Sequence, residues 1–230
     1  MKSVLNHLIE LLFPRLCQGC GQKLLSDEEY ICVECLIKLP RTNYSSLREN
    51  PLEQLFSGRI LFQRIASFSY FAKDGVLQNL VHQLKYDNQR ELGVFLGRLV
   101  YREMEHSGFF QGIDCLLPVP LHPKKLKLRG YNQSFLLAKG ISAESGIAID
   151  TESLRRIVNN PSQTTKSRME RWDNVSGIFE MTPVAEKWEH KHVLLVDDIL
   201  TTGSTLEACA KTLHQTKDTK ISVFVLGSAI

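Results

Sequence analysis

The apolar positions of this chain change period several times. Between Met1 and Leu16 they form a wide stripe of Val4, Leu5, Leu8, Ile9, Leu11, Leu12 and Phe13, interrupted by Asn6, His7 and Glu10. That spacing predicts an amphipathic helix. The interruptions, and the Pro14-Arg15-Leu16-Cys17 that follows, do not match the uninterrupted apolar stretch and small-residue cleavage site of a signal peptide. The stripe is expected to pack on the protein itself, and its width leaves a membrane surface open as a second seat. From Pro40 to about Gly58 the chain is polar and aperiodic, with Asn43, Ser45, Ser46, Asn50 and Pro51, and reads as a linker.

Beyond the linker, two kinds of pattern alternate. Short apolar runs predict strands at Ile65 to Phe71, Cys115 to Pro120, Leu154 to Val158, His192 to Val196 and Ile221 to Leu226. Helical spacing predicts helices at Val76 to Lys85, Leu92 to His106, Asn132 to Ser145 and Gly203 to Gln215. The stretch from Asn159 to Asn174 is polar and is expected to move. Buried strands separated by helices predict an α/β fold, a parallel sheet with helices on both faces. The expected organisation is a helix and cysteine module at residues 1–40, a linker at 41–60, and one α/β domain at 61–230.

Composition narrows this picture only slightly. The chain has 230 residues, 43% hydrophobic and 23% charged, with a formal net charge of +3. So small an excess does not by itself argue for nucleic acid, and any such case rests on local clustering. No apolar run reaches the roughly 18–20 residues that span a bilayer, so a transmembrane segment is not expected.

The six cysteines matter more. Cys17-x2-Cys20 and Cys32-x2-Cys35 form two identical pairs. Each tight turn places two thiolates on one side of a metal, and two such turns complete the tetrahedron of a closed structural zinc site. Gly19 and Gly21 permit the first turn. Unligated thiols and a redox dithiol are the alternatives, and two pairs in register fit a zinc knuckle better. Cys115 and Cys209 stand alone in apolar surroundings and are expected to be buried thiols.

The chief chemical signal is His192-Val193-Leu194-Leu195-Val196-Asp197-Asp198-Ile199-Leu200-Thr201-Thr202-Gly203-Ser204-Thr205. A buried strand delivers two adjacent carboxylates to the sheet edge where α/β proteins bind ligands. A loop of small hydroxylated residues then opens a helix, whose N-terminal N–H groups favour a phosphate. The carboxylates suit ribose hydroxyls, directly or through Mg²⁺. The plain alternative is a helix cap after a buried strand. This run resembles the fingerprint of type I phosphoribosyltransferases. The resemblance implies that Asp197 and Asp198 hold the ribose of 5-phosphoribosyl pyrophosphate (PRPP). It also implies that Thr201, Thr202, Gly203, Ser204 and Thr205 hold its 5′-phosphate.

A second segment follows the Cys115 strand: Pro118-Val119-Pro120-Leu121-His122-Pro123-Lys124-Lys125-Leu126-Lys127-Leu128-Arg129-Gly130-Tyr131-Asn132-Gln133. On charge alone it reads as a solvated loop. Its place on the acidic loop's edge suits a pyrophosphate. It resembles the signature of the ComF family, as do Leu84-Lys85-Tyr86, the arginines at 168 and 171, and Asn174-Val175-x-Gly177-x-Phe179. The resemblance covers nearly the whole chain and is weakest around 41–60.

It implies a type I phosphoribosyltransferase-like domain with an N-terminal zinc knuckle. It also implies Arg129 and Lys85 as PRPP ligands, Mg²⁺ with the PRPP, and a loop at 160–175 that closes over the site. A surface lysine packed on Tyr86 is the alternative for Lys85. Asn132 and Gln133 are alternatively helix caps.

Three functions are compatible with the resemblance. The first is a cytoplasmic protein of DNA uptake and natural transformation. It would bind single-stranded DNA through Lys124, Lys125, Lys127 and Tyr131, beside a helicase and other competence proteins. The second is an active phosphoribosyltransferase, its acid pair catalytic and its acceptor unassigned. The third is a regulator that senses PRPP.

Overall fold

The computed structural model describes residues 13–86, 89–159 and 177–229. The helix expected at Met1 to Leu16 and the closing loop expected at 160–175 fall largely or wholly outside those residues. In chain order the elements are helices α1 (Val33–Lys38) and α2 (Pro51–Phe56), strand β1 (Ile65–Tyr70), α3 (Val76–Tyr86), α4 (Arg90–Met104), β2 (Cys115–Pro118), α5 (Pro123–Arg129) and α6 (Gln133–Ser145). There follow β3 (Ala148–Ile149), β4 (Leu154–Arg156), β5 (Phe179–Met181), β6 (His192–Leu200), α7 (Ser204–Leu213) and β7 (Lys220–Ser228).

Five strands form one sheet in the order β1-β7-β6-β2-β3, and every pair in it is parallel. Parallel strands need both faces covered, and the central strand shows it. Leu194 and Val196 of β6 join a core with Leu80, Leu92, Leu96, Leu137 and Phe224. Val193 and Leu195 join the opposite core with Phe56, Leu206, Leu213 and Val225. The α/β expectation with helices on both faces is thus met.

Helices α4 and α6 approach closely because each supplies a glycine at the crossing. A Cβ on Gly97 or on Gly140 would overlap the backbone of the other helix, so neither position accepts a side chain without separating the pair.

Three local expectations change. β6 runs four residues beyond Val196, because β7 continues to pair with it as far as Leu200 opposite Ser228. The Leu154 strand lies outside the parallel sheet and pairs antiparallel with β5. With two arginines after Leu154, it lacks the apolar residues for burial on both faces. The stretch read as a linker carries α2, capped by Asn50, whose side chain accepts the N–H of Leu52 at 3.0 Å and of Glu53 at 3.2 Å. Leu52 and Phe56, one helical turn apart, are fully buried. Two apolar positions are too few to show a period in sequence.

The cysteine module packs on the helices of the first core. Asn79 of α3 donates to the Gly19 carbonyl at 2.7 Å. Tyr30 meets Phe95 of α4 with ring centroids 5.3 Å apart, and Arg41 forms a two-pronged contact with Glu103 at 2.7 Å.

Candidate functional site

Strand connectivity selects one crevice. The chain leaves β2 outward to β3, and leaves β6 in the opposite direction to β7. Between neighbours whose connections diverge, the carboxyl ends of the strands open a crevice, the usual ligand position in such sheets. β2 stops at Pro118, opposite Val196. Beyond Val196, β6 pairs with β7 alone, so Asp197 and Asp198 emerge where β2 has ended.

Each carboxylate has its own partners. Asp198 is 6% exposed. Its Oδ2 lies 2.5 Å from the Lys85 ammonium and accepts from the Gln133 side-chain amide at 3.4 Å. Asp197 is partly exposed and accepts the Ser134 hydroxyl at 2.9 Å. Burial and the neighbouring Asp198 charge push the Asp197 carboxyl up to about 7; the Ser134 hydroxyl, the Asp198 N–H and Lys85 act the other way.

The loop after β6 places a helix N-terminus beside the pair. Gly203 caps α7 in the left-handed region with φ 78° and, having no side chain, makes no side-chain cap; among the described residues no other side chain is seen to cap that turn. Its N–H groups remain available to an anion. The Thr202 and Ser204 hydroxyls are 3.1 Å apart. Gly203 is required twice over, by its φ and because a Cβ there would overlap the Phe56 ring beneath it. Residue 56 of the expected linker thus supports the loop.

The basic stretch is a helix rather than a loop. His122 caps α5 through Lys124 N–H at 3.2 Å, Pro123 takes the first turn, and Gly130 ends it with φ 81°. Lys125 and Arg129, four residues apart, share a face; Lys124, Lys125, Lys127 and Leu128 are exposed, and Arg129 is half-buried. Arg129 donates to the Gln133 side-chain oxygen, which ties it to Asp198. Partial burial, then the charges of Arg156, Arg129 and Lys85, hold the Lys125 ammonium below its ordinary value. These four cations form one electrostatic group beside the acid pair.

Tyr131 departs from its expected role. It is 6% exposed and donates to the Leu84 carbonyl at 2.6 Å, because a buried phenol needs an acceptor. Its ring is core, not a surface on which a base could stack. Asn132 caps α6 through Ser134 N–H at 3.0 Å. Gln133 instead bridges Arg129 and Asp198.

The four paired cysteines converge so that their sulfurs all lie within 4.8 Å of one another. A tetrahedral zinc with ligands at ~2.3 Å has edges of about 3.8 Å, and Cys20 and Cys32 are 3.8 Å apart. Backbone N–H groups of Gly19 and Cys32 point at the Cys17 sulfur at 3.4 and 3.3 Å, and that of Cys35 at the Cys32 sulfur at 3.4 Å. Burial raises the Cys17 thiol, and the N–H groups of Cys32, Gly19 and Cys20 with the Cys32 side chain more than offset it, bringing it down to about 7. Burial pushes the Cys35 thiol up, as do its sulfur neighbours. A divalent cation resolves that conflict, so the donor set fits structural zinc. Cys115 and Cys209 are buried.

No family model matches the chain. It is 33% identical over 220 residues to competence protein ComFC of Bacillus subtilis, covering 92% of this chain and 83% of that protein. It is 30% identical over 229 residues to DNA utilization protein YhgH of Salmonella typhimurium, covering 94% and 98%. Competence protein F of Haemophilus influenzae is 28% identical over 217 residues, covering 93% and 90%. The chain belongs to the ComF family.

In this ComF-family chain the structure also gathers residues with no role in the sequence reading. Ser134 reaches Asp197 across 63 positions. Arg156 comes from the β4–β5 ribbon, its guanidinium 5.5 Å from the Phe179 ring centroid. Neither carries a local signal, since only the fold brings them to the crevice. Among the described residues no helix is long and apolar enough to cross a membrane.

Proposed function

We propose that the chain binds PRPP at the β2–β6 crevice and serves DNA uptake by handling single-stranded DNA in the cytoplasm. The carrying observation is the juxtaposition of the acid pair with the glycine-capped N-terminus of α7 one loop away. Asp197 and Asp198 accept the ribose hydroxyls. Thr201, Thr202, Gly203, Ser204 and Thr205 surround the 5′-phosphate with N–H and hydroxyl donors. Lys85, Arg129 and Lys125 face the pyrophosphate. Lys85 already pairs with Asp198, so Mg²⁺ is better carried on the pyrophosphate oxygens than in a protein cage. Zn²⁺ closes the knuckle at Cys17, Cys20, Cys32 and Cys35.

DNA handling is supported by the names of the relatives, competence proteins and DNA utilization proteins, and by the exposed Lys124, Lys125 and Lys127. Backbone contacts of this kind are salt-sensitive, with a slope of about −0.7 per neutralised phosphate on single strands.

The cation group favours a second reading, an active phosphoribosyltransferase. An acceptor nucleophile would bond to ribose C1 while the C1–O bond breaks and pyrophosphate leaves with the electron pair. Lys85, Lys125, Arg129 and Arg156 would stabilise the departing charge.

Calorimetry of the zinc-loaded protein with PRPP and Mg²⁺, beside an Asp197→Ala/Asp198→Ala variant, tests the site. Binding that vanishes in the variant supports it, and a silent wild type removes it. For DNA, an unchanged affinity of Lys124→Ala/Lys125→Ala/Arg129→Ala for single strands would discard the basic helix as the contact.

A further inference from the structure

We propose that Tyr86 is a stacking platform for a nucleobase, so that the crevice accepts a nucleoside 5′-phosphate with the base on Tyr86 and the phosphate on the Thr201 to Thr205 loop. The proposal rests on the ribose-phosphate reading above and names the class of group that lies beyond the sugar.

Tyr86 ends α3, directly after Lys85, whose ammonium is on Asp198. The Arg129 guanidinium is 5.8 Å from the Tyr86 ring centroid, and Arg129 is joined to Asp198 through Gln133. Arg129 thus ties the ring to Asp198, which places the ring at the rim of the crevice.

Tyr86 is 67% exposed, so a planar group can reach it. The ring has a neighbour on its own helix. The His82 ring lies one helical turn back, with centroids 4.9 Å apart. The end of α3 is anchored by the fully buried Leu84, whose carbonyl accepts the Tyr131 hydroxyl. An accessible aromatic ring beside an arginine is an arrangement on which bases stack.

Among the described residues, the other exposed aromatic side chains do not compete. Phe13 lies beside the cysteine module, and Tyr70 is paired with Tyr44 through their hydroxyls at 3.0 Å. Stacking is tolerant of base identity because every base has a π-face. The same platform therefore serves a free nucleotide or the 5′-terminal nucleotide of a strand.

Three ligands separate the parts: ribose 5-phosphate, adenosine 5′-monophosphate and thymidine 5′-monophosphate, each titrated by calorimetry into wild type, Tyr86→Ala and Tyr86→Phe. Stacking contributes roughly 1–3 kcal/mol per base, so Tyr86→Ala is expected to weaken both nucleotides about 5- to 150-fold while leaving ribose 5-phosphate within about twofold. Tyr86→Phe is expected to retain nucleotide binding. In a Tyr86→Trp variant, nucleotides should quench the new indole fluorescence and ribose 5-phosphate should not. Equal losses for sugar phosphate and nucleotides in Tyr86→Ala, or no loss for either, would overturn the stacking platform and leave the ribose-phosphate site standing. A wild type that binds neither class overturns both.

Discussion

The Lys85 ammonium lies 2.5 Å from Asp198 Oδ2, and this contact joins the end of α3 to the carboxyl end of β6. Asp198 is almost wholly enclosed, while the lysine side chain is about one-quarter exposed. A carboxylate in that position without a cation would carry an uncompensated charge beside a second carboxylate. Gln133 reaches the same oxygen and holds Arg129 with its other end. The crevice is thus a connected set, Lys85–Asp198–Gln133–Arg129, in which acidic and basic parts fix each other.

Changing Lys85 to methionine should therefore act on both poles. The ligand loses a charge-assisted contact, worth about 1.5–3 kcal/mol, which corresponds to a loss of PRPP affinity of roughly 10- to 150-fold. The freed acid pair should bind Mg²⁺ more tightly in the absence of PRPP. Calorimetry with each ligand checks the two shifts. Weaker PRPP binding with unchanged Mg²⁺ affinity would mean that Lys85 contacts the ligand without shielding Asp198.

Zinc removal should loosen the knuckle and the face it covers. Cys17, Cys32 and Cys35 share a core with Leu77, Leu80 and Leu92 of α3 and α4, so loss of the metal disturbs more than the module. The purified protein should carry a single zinc per chain by elemental analysis, and Cys35→Ser should carry much less. A strong chelator should lower the melting temperature. An unchanged melting temperature after the metal is stripped would show that the packing alone holds the module.

The buried run of β6 was legible because Val193 to Val196 are apolar on both faces, and the cysteine spacing was legible because two short turns suffice to define it. The acid pair and its loop share one continuous segment. The supports of that segment do not. Ser134 and Gln133 meet the carboxylates only because α6 packs across the sheet, and Lys85 arrives from a helix more than a hundred positions earlier. Tyr131 reads as an exposed aromatic in a basic stretch, yet its hydroxyl finds the Leu84 carbonyl inside the protein. Phe56 sits in a polar region with too few apolar neighbours to show a period, and it backs Gly203. Local chemistry was visible in sequence, and long-range second contacts were not.

Acid should destabilise the protein partly through Asp150. This buried carboxylate accepts the N–H of Glu152 at 2.7 Å and of Ser153 at 3.1 Å, together with the Ser153 hydroxyl and the Trp188 indole N–H. Burial raises it, and these donors more than offset that, bringing it from 3.8 down to about 2. A depressed carboxyl stabilises the fold above its unfolded value and loses that contribution as pH falls from about 4 through about 2, here roughly 2 kcal/mol. Urea unfolding should show Asp150→Asn less stable than wild type at pH 6, with the gap narrowing below pH 4. A gap independent of pH would assign the loss to hydrogen-bond geometry instead of charge.

Asp197 has the opposite sign, and its substitution should separate stability from binding. Its carboxyl is raised from 3.8 to about 7, first by burial and then by Asp198. Between those values the native state holds more proton than the unfolded chain, so this group's contribution to stability falls as pH rises from about 4 to about 7. Above that window the ionised pair is a standing cost. Asp197→Asn should therefore be more stable than wild type at pH 8, by roughly 1–3 kcal/mol, and nearly equal to it at pH 4. The same ionised carboxylate is the stronger acceptor for a ribose hydroxyl. Affinity of the wild type for ribose 5-phosphate should rise between pH 6 and pH 8 more steeply than that of Asp197→Asn. The ligand phosphate also titrates near pH ~6, but it does so equally with both proteins, so the difference between their slopes reports Asp197 alone. Parallel slopes with a stabilised variant would mean that the charge strains the fold without touching the sugar.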